Sequence, residues 1–355
     1  MNFPAFPFLA ALKKQTLGRA RHQLAGFSLV ELMVACAVLA VMMGLISLAI
    51  RQMAGGIKTS TAKVDAFQSA RTGFEAVSRT LGVATLNTYW DYYFLTNGSY
   101  QSRGSSTNPP QFYGRQSDLH FLITNNFPTV SGLELSGHSV FFQAPLGYFT
   151  NTSGTNPPGS LNPSGFFVAF GDDPTKPNLP GINDRKRFRL YQWLPSSDSL
   201  TVASSSGRIT DTNWITPATT NGVRPLAENI IAFVIRVPST NSTGYSTNAT
   251  NYGWNSLTPW TSGNQPAQMH QLPPLVNITM VAVEEASVNR LVASTVTSAS
   301  DASSAMGITN FSTLFTDETQ YDADLLRLET ALSGKNIPYR TFTTTVPLRG
   351  SRWSP

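Results

Sequence analysis

The chain has 355 residues, a net charge of +5 and a pI near 9.3, yet only 13% of its residues are charged. Lys13, Lys14, Arg19 and Arg21 carry most of the excess; residues 1–26 hold no Asp or Glu, so residues 27–355 are left at +1. A near-neutral body argues against a nucleic-acid partner, and the single cysteine, Cys36, excludes an intrachain disulfide. Abundant Ser, Thr, Asn, Gly and Pro with few charges suit an extracytoplasmic surface with long polar loops.

The basic segment 1–26 leads into an apolar run of 24 residues, Phe27 to Ile50, whose one charge is Glu31. As a helix the run is roughly 36 Å long, enough to cross a hydrocarbon core of about 30 Å. The basic flank favours a cytoplasmic N-terminus. An ordinary secretory signal has a shorter apolar region that ends at a small-residue site, which Ser47 and Ala49 could imitate, and it carries no early carboxylate. A lipoprotein signal at "MVAC" (Met33 to Cys36) would enclose Glu31 and would require a polar tether after Cys36, where "AVLAVMMGLISLAI" follows instead.

Gly26, Phe27, Ser28, Leu29, Val30 and Glu31, after a basic leader and before an apolar helix, resemble the signal of type IV pilins and type II secretion pseudopilins. The resemblance implies cleavage between Gly26 and Phe27 by a prepilin peptidase, then N-methylation of Phe27. It gives Glu31 a purpose. Cleavage frees an α-amino group at Phe27 that is mostly cationic, its unperturbed pKa being near 7.7–8, and Glu31 lies one helical turn on. In a filament the carboxylate of one subunit can meet the amine of its neighbour, an ion pair that sets register more than net stability.

Beyond Arg51 the helical pattern weakens at Gly55-Gly56, a position for a bend or hinge, then resumes. Phe67, Ala70, Phe74, Val77 and Leu81 follow a 3,4,3,4 spacing, one apolar stripe for packing on a sheet. Strands are expected at 118–123, 139–144, 165–170, 187–194, 229–237, 275–283 and 340–348, several of them alternating as in an antiparallel sheet with one covered face. Of these "RFRLYQWL" (187–194) alternates most cleanly. Segments 198–222 and 239–266 read as polar loops, Thr-Asn-Pro-Pro at 107–110 and 155–158 as turns, and "DADLLRLETAL" (322–332) as a late helix.

"LPPLVNITMVAVEEASVNR" (272–290) and "YRTFTTTVPLRGSRW" (339–353) look like the last two strands of J-type minor pseudopilins. With "QSARTGFEAVSRTLGVATLNTYW" (68–90) and "FGDD" (170–173) before "RFRLYQW", the chain resembles the Verru_Chthon cassette proteins, C type, which are pilin-like.

No constellation supports catalysis. His120, His138 and His270 stand apart from any zinc spacing and read as strand or core residues. "GHSVF" (137–141) opens like a nucleophile elbow but ends in Phe141 where glycine is required. Asp172, Asp173 and Asp184 in "GDDPTKPNLPGIND" offer oxygen ligands for calcium, although a plain turn accounts for the same residues. Glu284-Glu285 and Asp322/Asp324 read as solvated faces.

These readings converge on an α+β pilin-like fold, a long N-terminal helix packed on an antiparallel sheet with long polar loops. The expected divisions are a leader (1–26), a transmembrane helix (27–50), its amphipathic continuation (51–90) and an extracytoplasmic domain (91–355). The expected protein is a non-enzymatic minor pilin or pseudopilin without cofactors, since 329 residues after cleavage exceed a compact major pilin. It would span the inner membrane once, with its domain periplasmic. Its partners would be the peptidase and other pilin subunits, in or capping a type IV pilus or type II secretion-like filament. The alternative is a surface adhesin anchored by the same signal, its loops and exposed Trp or Tyr contacting a glycan or surface.

Overall fold

A computed structural model describes residues 28–351, apart from 103–108, 126–128, 151–158, 173–185, 201–207, 216–221, 239–251, 293–295 and 309–310. The chain divides into two compact units, Met1–Lys58 and Thr59–Pro355. Helix α1, Leu29–Leu81, is unbroken through Gly55 and Gly56. Each glycine costs about 1 kcal/mol in a helix interior, which is too little to interrupt so long a run.

The helix also stops short of residue 90. At Leu81 it tightens into a turn in which the amides of Gly82, Val83 and Ala84 donate to the Ser78, Thr80 and Leu81 carbonyls. Thr85 then bridges to Gln143, and Tyr89 and Trp90 already belong to a strand. Upstream of the turn, Ala70, Phe74, Val77 and Leu81 are buried as their spacing predicts, with Phe67 packed against the same core.

Twelve strands are described: β1 Tyr89–Thr96, β2 Ser99–Ser102, β3 Phe112–Gln116, β4 Leu122–Asn125, β5 Leu133–Pro145, β6 Leu161–Gly171, β7 Arg187–Trp193, β8 Val223–Glu228, β9 Ile230–Arg236, β10 Trp254–Asn255, β11 Leu275–Val283 and β12 Tyr339–Pro347. Helices α2 Glu285–Leu291, α3 Ala299–Ala305 and α4 Tyr321–Gly334 lie between the last two. The strands form three sheets, ordered β2-β1-β3, β10-β4-β5-β6-β7-β8 and β12-β11-β9. Every pairing is antiparallel.

The strands expected at 139–144 and 165–170 lie inside β5 and β6. Those at 187–194, 229–237, 275–283 and 340–348 match β7, β9, β11 and β12 within a residue, and the late helix is α4. At 118–123 only Leu122 and Ile123 are in a strand. The preceding amides are taken by side chains instead of a ladder: Asp118 N–H by Asn87 Oδ1, His120 N–H by Gln143 Oε1 and Phe121 N–H by Ser256 Oγ.

The expectation of one covered face fails in the central sheet. Val140 and Phe142, Phe166 and Val168, and Phe188 and Leu190 point into the same core as the α1 stripe. Their neighbours Phe141, Phe167, Ala169, Tyr191 and Trp193 point into a second core, closed by Ile209, Trp214 and Ile215. The alternation is present, but it separates two cores and not core from water. Crowding between strands is relieved at Gly165, opposite Phe141: a Cβ there would fall 2.3 Å from the Phe141 ring.

Sheets two and three meet at Asn229, between β8 and β9, at φ +59°. Asparagine tolerates this left-handed conformation better than most residues. Its N–H donates to the Phe188 carbonyl of β7, and its carbonyl accepts from Val283 N–H of β11. Helix α1 packs near this corner. A Cβ on Gly73 would lie 3.0 Å from Ala227 Cβ, and the Phe74 ring centre is 5.8 Å from that of Phe342 on β12.

Replacing Phe74 with alanine should cost about 3–5 kcal/mol of domain stability. Glu75→Ala, which removes only an exposed i,i+4 pair with Arg71, should cost about 0.5 kcal/mol or less. Denaturant unfolding of the two variants side by side measures the difference; equal losses would mean that the stripe is misassigned.

Candidate functional site

At the N-terminal end, α1 opens with Leu32 N–H donating to the Ser28 carbonyl, and Glu31 lies exposed in its first turn. Gly26 and Phe27, the expected processing residues, lie outside the described residues. From Leu29 to Ala54 the helix is apolar over 26 residues and long enough to cross a membrane, with none of that stretch buried in the protein. Glu31 and Arg51 are its only charges. The carboxylate therefore sits about one turn from the start of an apolar surface that needs a non-aqueous environment.

The three histidines of the domain are core residues with defined roles. Trp214 Nε1–H donates to His120 Nδ1 at 3.0 Å, so the ring proton is on Nε2, which donates to Asn255 Oδ1 at 2.8 Å. His138 Nδ1 accepts from Ile235 N–H at 3.0 Å while Nε2–H donates to the Phe315 carbonyl at 2.9 Å, tying β5 to β9 and to the 315 turn. His138 follows Gly137, at φ +89° beside a register shift in β5, so "GHSVF" is a bulged strand and not an elbow. His270 differs. It is buried at φ +53°, and its Nδ1 has no partner.

Burial pushes all three imidazoles down to about 4; for His270, Arg208 and Arg115 act in the same direction.

The acidic candidates separate. Asp173 and Asp184 lie outside the described residues, and Asp172 follows β6 with its backbone carbonyl accepting from Tyr191 Oη. Among the described residues no group of three His, Cys, Asp or Glu is placed to hold a metal ion. Glu284 is no solvated residue: it is 4% exposed, 3.4 Å from Lys63 Nζ of α1, and accepts from Ser287 Oγ. Glu285 meets Arg187 at 2.8 Å. Asp324 is buried as well, its Oδ2 accepting from Phe315 N–H at 2.9 Å. Glu284 ties α1 to the start of α2, Glu285 ties α2 to β7, and Asp324 ties α4 to the turn at Phe315.

Two features had no sequence signal beyond scattered aromatics. One is a row of exposed rings on the first sheet, with Tyr113 5.5 Å from Trp90 and 5.1 Å from Tyr92. The other is a cleft of about 240 Å³ on the opposite face of that sheet.

Residues 21–47 match the family model described as the prokaryotic N-terminal methylation motif. The match, on a long apolar helix, supports a pilin-like protein with a transmembrane helix and a signal for prepilin cleavage and N-methylation. No curated protein matches the chain.

The buried histidines set a pH dependence. An unfolded imidazole binds its proton near pH 6.5 and the folded ones only near 4. Between these values the unfolded state holds more protons, so stability rises with pH. Thermal unfolding of the detergent-extracted protein should show a midpoint steady above pH 6.5 that falls towards pH 4. Each histidine contributes about 3 kcal/mol to that loss; a flat profile would mean that the imidazoles are protonated in the folded state.

Proposed function

We propose that this chain is a minor pilin- or pseudopilin-like structural subunit, with no catalytic role, that assembles into or caps a type IV pilus or type II secretion-like filament. The observation that carries the reading is the methylation motif at 21–47, with Glu31 in the first turn of an exposed apolar helix. Prepilin peptidase cleaves between Gly26 and Phe27, and the new Phe27 amine is methylated. The basic leader keeps the N-terminus cytoplasmic, so the domain lies on the periplasmic side of the inner membrane. Glu31 pairs with the Phe27 amine of a neighbouring subunit as the helices pack. The resemblance of 272–290 and 339–353 to J-type minor pseudopilins and, taken with 68–90 and 170–173, of the chain to the Verru_Chthon cassette proteins, C type, supports the minor role.

A pilin-anchored adhesin is the second reading. The exposed rings of Trp90, Tyr92 and Tyr113 favour it, because clustered exposed aromatics are more often contact surfaces than packing remnants.

Mass spectrometry of the intact N-terminus of the membrane-extracted protein should find a chain that begins at Phe27 with one added methyl. A start at a lipid-modified Cys36, or beyond Ala49, would overturn the proposal. Glu31→Ala should leave cleavage intact and lower recovery with partner subunits on the order of tenfold or more. Undiminished recovery would remove Glu31 from assembly.

A further inference from the structure

Strand β12, Tyr339–Pro347, is an outer strand of the third sheet, and its pairing with β11 fixes which of its backbone groups are used. Just beyond the two ends of that ladder, Leu348 N–H donates to the Pro274 carbonyl and Glu284 N–H to the Pro338 carbonyl. Both bonds continue the register in which Leu275 faces Pro347 and Val283 faces Tyr339. Hydrogen-bonded and non-bonded pairs alternate along an antiparallel ladder. Arg340, Phe342, Thr344 and Val346 therefore bond to β11, while Tyr339, Thr341, Thr343 and Thr345 turn N–H and C=O to the opposite side. Among the described residues nothing bonds to these backbone groups. Thr343 and Thr345 are exposed, and Tyr339 and Thr341 are half-buried.

The other outer strands are closed or broken. β2 is held by Tyr100 N–H on the Trp260 carbonyl, and β3 by the Gln265 side chain, which accepts from Arg115 N–H and donates to its carbonyl. β8 carries Pro225 and a register shift, and β10 is two residues long. On β9, Ile235 N–H donates to His138 Nδ1 of β5. Covering, bulging and shortening are the means by which natural sheets avoid edge-to-edge pairing. β12 uses none of them before Pro347. It pairs over nine residues without a register shift, holds four threonines, and has one charge, Arg340.

A row of N–H and C=O groups at strand spacing is complementary to the backbone of another extended chain. Among the described strands, a second copy has only its own β12 to offer. Two β12 edges related by a two-fold axis pair antiparallel. Helix α1 runs along β12 in the same direction: the Arg340 guanidinium lies over the Phe67 ring, Phe342 meets Phe74, and a Cβ on Gly82 would stand 3.6 Å from Val346. Such a dimer would set its two α1 helices antiparallel, whereas chains anchored by that helix in one membrane hold it parallel. The strand that fits belongs to a different protein.

We propose that the free edge of β12 binds an extended strand of a different protein, which continues the third sheet through the backbone groups of Tyr339, Thr341, Thr343 and Thr345. The choice of a different protein over a second copy rests on the membrane-anchored reading of α1; the edge itself does not.

The probe is a synthetic peptide of the sequence Tyr339–Pro347, a strand that carries no α1 with it. Hydrogen exchange on the detergent-extracted full-length protein, labelled with nitrogen-15 threonine, should find the Thr344 amide protected and those of Thr341, Thr343 and Thr345 open. Saturating peptide should slow these three on the order of tenfold or more. Thr343→Pro removes an N–H that β11 does not use, at a position where edge strands accept proline. It should abolish the slowing while Thr344 stays protected, which reports an intact sheet; Thr343→Val, which keeps the N–H, should retain it. No slowing at millimolar peptide, or full slowing in folded Thr343→Pro, would overturn the proposal. The source of the strand is tested in native membranes with Thr343→Cys in a Cys36→Ala background. Two-fold pairing centred on residue 343 would bring the two introduced thiols within disulfide reach. Oxidation should give no disulfide-linked homodimer, and the thiol should be shielded from a maleimide in membranes but reactive after extraction. A homodimer would assign the edge to a second copy, and equal reactivity would leave it unoccupied; either overturns the proposal. None of these readouts requires cleavage at Gly26, so their failure is distinct from failure of the filament reading.

Discussion

Strands β5, β6 and β7 bury both of their faces, and the rest of the domain follows from that demand. A strand with Val and Phe on one face and Phe, Tyr and Trp on the other has no side to give to water. Two covers must therefore be found. The α1 stripe, the third sheet and the small helices supply the first, and the segment around Ile209 and Trp214 supplies the second. Full burial of each large side chain is worth about 1.5–3 kcal/mol, so neither cover can be lost cheaply. A domain without disulfides is held by this double layer.

Covering a sheet on both sides forces the chain to change sheets, and that is costly for backbone hydrogen bonds. Asn229 solves it in one residue, with its N–H in one sheet and its carbonyl bonded to the other. Side chains meet the same problem elsewhere. His138 spans β5, β9 and the turn at Phe315, and Gln143 and Ser256 satisfy amides where β4 has not yet begun. Neutral imidazoles suit these places because each ring offers one donor and one acceptor without a charge to desolvate. Among the described residues four charged side chains are buried, and each has partners: Arg189 with Glu228 and the Gly171 carbonyl, Arg115 with the Pro266 carbonyl, Glu284 with Lys63, and Asp324 with the Phe315 amide.

How much of this the sequence disclosed depended on whether the signal was local. The α1 stripe and the strands β6, β7, β11 and β12 were legible because spacing and β-branched or aromatic content report on a single element. β1, Tyr89–Thr96, was missed because its aromatics adjoin the helix and resemble its continuation. The break at 118–121 depends on Asn87, Gln143 and Ser256, between 23 and 135 residues away for the last two. No window contains them. Segments rich in Ser, Thr and Asn read as plain loops, yet they carry Trp214, Tyr252, Trp254 and Trp260 into the cores. The cleft was invisible for the same reason, since Ser102, Arg208 and His270 meet only after three separate segments fold together.

The N-terminal unit obeys the opposite constraint. Fifteen large apolar side chains between Leu29 and Met53 are exposed. At about 1.5–3 kcal/mol each, leaving them in water would cost tens of kcal/mol, more than the net stability of an ordinary domain. That surface must therefore be met by lipid, by other helices, or by each in turn. Lipid accepts it on every side and specifies nothing. Other helices specify a great deal once one polar group is present, because a carboxylate within packed apolar helices must find a cation or stay unpaired. Glu31 is the one carboxylate on this stretch and, in the proposed filament, would be that group. It is tolerable near the end of a membrane helix, where it can reach the interface, and selective in a bundle, where only one register satisfies it. On the proposed assembly, an apolar helix with one carboxylate would rest in a membrane alone and still pack in a single way.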